Sequence, residues 1–169
     1  MVKNLSLALF DENRPVALAA LASLGLITAA LFFEYVIGLA PCKLCLTQRL
    51  PHYGLIALGL ISTIRPAHQI LWRGVGALLA CVTSGVGVQH VGVEQGWWQG
   101  PQGCSSQIDS QASLADLTSA LLATPVVRCD EVAWLFLSIS MAGWNAIISA
   151  MLALFLIAAS LNMMKKQET

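Results

Sequence analysis

Charge is what this sequence has least of. Asp, Glu, Lys and Arg make up 11% of its 169 residues, against about 25% in an average soluble domain. So sparse a supply cannot cover a globule with polar groups, which excludes an ordinary soluble domain. The 57% hydrophobic content excludes a disordered chain as well. Neither sign of charge is in surplus: nine Lys and Arg balance nine Asp and Glu. A nucleic-acid binder needs a basic excess to neutralise phosphates. There is no internal repeat, no low-complexity run, no G-x-G-x-x-G fingerprint after a strand and no soluble flavin domain. What is present is apolar residue in quantity, with a mean hydropathy of +0.72, and a membrane is the solvent that suits it.

Charged residues divide the chain into the uncharged runs Pro15–Phe33, Leu50–Ile64, Gly74–Val93 and Val132–Met164. A helix needs about 20 apolar residues to cross the hydrocarbon. The second run falls short, so its helix must extend back through Arg49 and Gln48 toward Cys45, with Arg49 at the membrane boundary. Pro51 is expected in the first turn, where its missing N–H costs least. The last run is too long for one upright span, and its Trp-rich start, Ala133 to Trp144, is expected partly in the interface. Asp11 and Glu12 flank the first run beside Lys3 and Arg14, and no small-x-small cleavage site follows it, so an uncleaved span is expected. The reading is one all-α domain over 1–169, an integral membrane four-helix bundle with approximate spans 15–36, 45–64, 71–91 and 141–163.

Four spans place both termini on one side. Lys3, Arg14, Arg65, Arg73, Lys165 and Lys166 then share that side, while Lys43, Arg49 and Arg128 fall on the other. The bias makes the terminal side cytoplasmic, with loops 37–44 and 92–140 outside. Within the larger loop, Leu114, Leu117, Leu121 and Leu122 recur at helical spacing, with Ser113 as N-cap and Pro125 ending the pattern. This predicts a short amphipathic helix, lying on the membrane surface or covering the top of the bundle.

Of five cysteines, Cys81 lies mid-span and reads as a small hydrophobe. Cys42, Cys45, Cys104 and Cys129 all fall in or beside the two external loops, and disulfides persist in an oxidising compartment. A c-type haem site needs His after the second Cys of C-x-x-C, and position 46 is Leu. A zinc site is disfavoured, because Cys104 and Cys129 are too far apart for a second knuckle, and no metal is expected. Two cysteines with two residues between them close a small ring that opens and recloses readily. A Cys104–Cys129 bridge admits two readings. It is a loop staple worth about 3 to 4 kcal/mol, or it is a second redox pair, which the Gly100, Gly103, Ser105 and Ser106 flanks favour by keeping it accessible. Arg49 lies four residues beyond Cys45, on the same helical face. There it suits hydrogen bonding to a quinone oxygen at the membrane boundary and favours a Cys45 thiolate.

The stretch Pro41-Cys42-Lys43-Leu44-Cys45-Leu46-Thr47-Gln48-Arg49 resembles the P-C-x-L-C-x-x-[QE]-R signature of the disulfide bond formation protein B (DsbB) family. Cys129-Asp130, Trp134-Leu135-Phe136-Leu137 and Ser140-Met141-Ala142-Gly143-Trp144-Asn145 resemble that family's segment after its last cysteine. The resemblance implies a multi-pass protein of the bacterial inner membrane, with cytoplasmic termini and periplasmic redox loops. It implies a thiol:quinone oxidoreductase that reoxidises a DsbA-like thioredoxin-fold partner and passes electrons to ubiquinone or menaquinone. By position, Cys104 would form the mixed disulfide with the partner, and Cys129 would exchange with Cys42. Cys45 and Arg49 would meet the quinone, and His90 matches a histidine that the family places near it. Lys43 stands where many members carry an apolar residue, and the Ser-, Gln- and Ala-rich segment after Cys104 lacks the tryptophans of some members, which bears on partner choice. His52 is expected to be structural. A vitamin K epoxide reductase-like enzyme shares the C-x-x-C but usually carries it near its last core span. A non-enzymatic scaffold would use the Cys104–Cys129 bridge only as a staple.

Overall fold

The structure is a computed structural model that describes residues 14–65, 67–101 and 127–167. Within them the chain is mostly helical: α1 Arg14–Tyr35, α2 Lys43–Ile64, α3 Gln69–Glu94 and α4 Met141–Gln167. Helices α1, α3 and α4 are long and apolar enough to cross a membrane. Their outward faces carry large apolar side chains in the open, among them Leu21, Leu78, Met151 and Leu154, each more than 60% exposed. In water such a surface would aggregate, whereas in lipid it is at home.

The local chemistry explains the breaks. Pro15 sits in the first turn of α1. Beyond the other end, Gly38 takes φ 84°, a left-handed turn that glycine adopts without strain, and Leu39 N–H closes on Phe33 O at 2.9 Å. Helix α2 begins well ahead of the uncharged run, taking in Cys45, Gln48 and Arg49. That placement corrects the expectation for Pro51, which lies inside α2 and not in its first turn. Packing against neighbouring helices tolerates such a proline where lipid replaces water.

Interhelical packing uses small residues. A Cβ on Gly59 of α2 would fall 2.2 Å from the Ala20 Cβ of α1, and one on Gly87 of α3 would fall 3.0 Å from the backbone of Ala146 in α4. Close backbone approach of this kind is how helices gain dispersion contact without a hydrophobic driving force. The core between the four helices is Val16 and Ala19, Leu55 and Leu58, Ala77 and Ala80, and Ala153 and Leu156. Arg73, buried at one end of α3, donates from Nη1 to the Ala159 carbonyl of α4 at 2.7 Å.

One departure from an all-helical chain is an antiparallel hairpin, β1 Leu135–Phe136 with β2 Ile139–Ser140, pairing Leu135 with Ser140 and Phe136 with Ile139. Its turn residues Leu137 and Ser138 both have positive φ, 51° and 63°, the pattern of a type I′ hairpin turn. Neither residue is the Asn or Gly that announces such a turn in a sequence. The expected amphipathic helix at Leu114–Leu122 and the cysteine at 104 lie outside the described residues.

Candidate functional site

The motif cysteines sit where α2 begins. Cys42 is the N-cap, and its sulfur accepts the Cys45 backbone N–H at 3.3 Å. Its Sγ lies 2.9 Å from Cys45 Sγ, and both thiols are free. Cys42 is buried, while Cys45 is partly open. His90, near the C-terminal end of α3, brings Nε2 to 3.5 Å from Cys42 Sγ. These contacts hold the Cys42 thiol down to about 4. The largest cause is the hydrogen bond from the Cys45 thiol, burial opposes it, and the His90 ring adds to it. Lys43 is exposed and is not among the groups that shift Cys42.

Cys129 reaches the same place from a different part of the chain. It is fully buried, disulfide-bonded, and packed with Cys42, Leu44 and Val93. Its Sγ, Cys42 Sγ and a ring nitrogen of His90 all lie within 4.8 Å of one another. Three such donors match a soft-metal set, but the Cys129 sulfur is committed to a disulfide and offers no thiolate. The loop around Cys129 is clamped. Arg128 donates to both carboxylate oxygens of Asp130, at 3.0 and 2.8 Å, and holds that carboxyl below its usual range.

Beside these sulfurs lies a cavity of about 300 Å³, at the small end of the roughly 300–1,000 Å³ typical of small-molecule sites. Cys42, Cys45, Arg49 and His90 all line it. Its wall on the α1 side is apolar, with Leu26, Ile27 and Ala30. A run of aromatic rings closes another side. Phe33 meets Trp134 at 4.9 Å, Trp134 stacks on Phe136 at 5.9 Å, and Phe136 meets Trp144 at 6.0 Å. The hairpin puts Phe136 there, and Trp144 Nε1–H fastens it by donating to the Phe136 carbonyl at 3.0 Å.

The two motif cysteines, Arg49 and His90 are expected from sequence as site residues, and the structure brings all four to one cavity, with Cys129 beside Cys42 and His90. Sequence reading missed four polar partners. Arg49 is ion-paired with Glu34 of α1 at the cavity wall. Glu94 lines the cavity one turn beyond His90 and accepts from Ser140 Oγ of the hairpin. Gln48 and Asn145 join the two histidines, and His52, expected to be structural, lines the cavity too. Only the i, i+4 spacing of His90 and Glu94 was a usable signal, since the other pairs cross between helices. Cys81 is exposed on the outward side of α3.

This is a helical membrane protein in which Cys42, Cys45 and Cys129 gather at one end beside an apolar cavity. Residues 12–159 match the family model "Disulfide bond formation protein DsbB", and the chain belongs to that family. Among curated relatives, it is 32% identical over 153 residues to disulfide bond formation protein B of Verminephrobacter eiseniae, covering 86% of this chain and 84% of the relative. It is 34% identical to the protein of that name from Aeromonas salmonicida over 88% of each chain. Membership makes it an oxidoreductase of disulfide formation with a redox-active cysteine centre.

Proposed function

We propose that the protein takes electrons from a reduced DsbA-like thioredoxin-fold partner and delivers them to a membrane quinone, ubiquinone or menaquinone, in the bacterial inner membrane. The observation that carries this reading is the approach of the Cys129 and Cys42 sulfurs to within 4.8 Å at the rim of a cavity lined by Cys45 and Arg49. Helix α2 completes a four-helix bundle spanning the membrane, both termini are cytoplasmic, and the cysteine end faces the periplasm.

The relay begins from a Cys104–Cys129 disulfide and a Cys42–Cys45 disulfide. A partner thiolate attacks Cys104, forming a mixed disulfide and releasing Cys129 as a thiolate. Cys129 attacks Cys42, whose bond to Cys45 breaks, so Cys45 leaves as the thiolate facing the cavity. The partner's second thiolate resolves the mixed disulfide and departs oxidised, freeing Cys104 as a thiolate, which attacks Cys129, remakes the Cys104–Cys129 disulfide and releases Cys42 to leave the Cys42/Cys45 pair reduced. Two electrons and two protons have then left the partner.

The cavity suits a quinone head group: an apolar wall on one side, aromatic rings on another, and the cationic Arg49 beside Cys45. A quinone bound there supplies the acceptor for two electrons and two protons. Arg49 would hold its oxygen, and Cys45 would face its ring. In the reduced pair Cys42, the sulfur attacked, is the one favoured as a thiolate, with the Cys45 thiol donating to it, so a Cys45 thiolate forms only as Cys45 is released.

The test mixes purified protein, quinone and a reduced DsbA-like partner and follows quinone absorbance. Stoichiometric quinone reduction, lost in Cys104→Ser, is the expected result. No reduction with either quinone would overturn the proposal. A scaffold would lose stability in Cys104→Ser, whereas the enzyme stays folded and loses turnover.

A further inference from the structure

Five hydrogen bonds join α1, α2, α3 and α4 in a single file that ends at Cys42. Ser23 Oγ lies 3.1 Å from His52 Nδ1, and His52 Nε2 lies 2.9 Å from Asn145 Oδ1. Asn145 Nδ2 donates to Gln48 Oε1 at 2.7 Å, and Gln48 Nε2 lies 2.8 Å from His90 Nδ1. His90 Nε2 is 3.5 Å from Cys42 Sγ. The donors could in principle all point toward Cys42 or all point away from it. Two backbone carbonyls decide the direction, since a carbonyl oxygen only accepts. Gln48 Nε2 also reaches the Leu44 carbonyl at 3.4 Å, and Asn145 Nδ2 also reaches the Thr83 carbonyl at 3.5 Å. Turning either amide over would set oxygen against oxygen.

The histidines follow from the amides. Asn145 presents Oδ1 to His52 Nε2. The nearby Thr83 hydroxyl is 3.3 Å from the same nitrogen, and its proton is spent on the Gln48 carbonyl at 3.0 Å. His52 Nε2 therefore faces two acceptors and carries the proton, leaving Nδ1 to accept from Ser23. At the other end Gln48 presents its NH2 to His90 Nδ1, which must accept. The proton of a neutral His90 is then on Nε2, aimed at Cys42.

We propose that Gln48, Asn145, His52 and Ser23 are positioning residues that lock His90 in its Nε2–H tautomer, so that the ring offers an N–H to the Cys42 sulfur. A thiolate at Cys42 gains a donor in this arrangement. The reversed file would present a lone pair instead and repel it. The functional consequence rests on the relay proposed above, in which Cys42 is the sulfur shared by both disulfides. The tautomer itself rests on geometry alone.

The test is nitrogen and carbon NMR of the histidine rings in isotope-labelled full-length protein in detergent, with the His90 signals assigned by their loss in His90→Gln. The expected wild-type spectrum shows His90 neutral, with Nε2 protonated and Nδ1 bare. In Asn145→Leu, Gln48 loses the donor to its Oε1 and keeps only the Leu44 carbonyl, so a partial turn-over is expected, with a minor Nδ1–H population at His90. Gln48→Glu keeps size and shape but can only accept, so it too should put a proton on Nδ1. An Nδ1–H tautomer in the wild type would overturn the proposal without any variant. An unchanged Nε2–H tautomer in folded Gln48→Glu would overturn it as well. Neither quinone nor partner enters this measurement, so its failure is separate from failure of the proposed function. As a second readout, folded Gln48→Glu should shift the pH profile of Cys42 alkylation, whose other titratable neighbours are Cys45 and Glu94.

Discussion

Arg49 of α2 and Glu34 of α1 form an ion pair at the wall of the cavity that also holds both motif cysteines. The pair occupies one nitrogen of a guanidinium that has five N–H donors, and Arg49 itself lines the cavity. Arg49→Ala should therefore raise the apparent quinone KM about tenfold or more, the worth of one charge-assisted hydrogen bond, and leave the KM for the protein partner nearly unchanged. Steady-state kinetics with each substrate varied in turn will show this. An unchanged quinone dependence would make Arg49 only an interfacial anchor. Glu34→Gln leaves the cation in place but unpaired, and should cost about 1–3 kcal/mol of stability, read by thermal unfolding in detergent.

The Cys42 thiol, held down to about 4 by Cys45 and His90, gives the reduced protein a pH signature. Alkylation of Cys42 by iodoacetamide should be nearly independent of pH from about 6 to 8, where an ordinary thiol of pKa about 8.5 gains reactivity steeply. The folded pKa is depressed, so the stabilisation is complete above the unfolded value and fades as pH falls toward the folded one. Denaturant unfolding of the reduced protein should therefore show stability rising between pH 5 and 9, and the rise should shrink in Cys42→Ser. A flat stability profile would mean that no thiolate is favoured there.

The hairpin turn carries two side chains at positive φ, Leu137 and Ser138. Replacing them with the residues such a turn prefers, Leu137→Asn with Ser138→Gly, should stabilise the protein by about 1 kcal/mol. Leu137 is 72% exposed, so little packing is lost. Thermal melting reads the gain, and a lower midpoint would show that Leu137 is needed as a lipid or partner contact.

Much of this was legible in the sequence because lipid leaves few ways to fold. Long uncharged runs must be helices, and a C-x-x-C followed by Arg49 at i+4 of Cys45 puts sulfur and cation on one face. The relationships that were not legible run between helices. Nothing in the spacing of Glu34 and Arg49, or of His52 and Asn145, reports that those side chains meet, because helix rotation and depth set such pairs. His52 looked structural for that reason. The hairpin escaped because Leu137-Ser138 carries no turn chemistry, and Pro51 was misplaced because helix α2 starts at Lys43.

The central claim is that Cys129 hands its electrons to Cys42 beside the cavity. It is tested most directly in a Cys45→Ser, Cys104→Ser double variant, which leaves these two sulfurs without their former partners. With Cys129 and Cys42 within 4.8 Å, a Cys42–Cys129 disulfide should form on mild oxidation and appear as one cross-linked peptide pair by mass spectrometry. Two thiols that stay free in the folded variant under the same oxidation would contradict the relay.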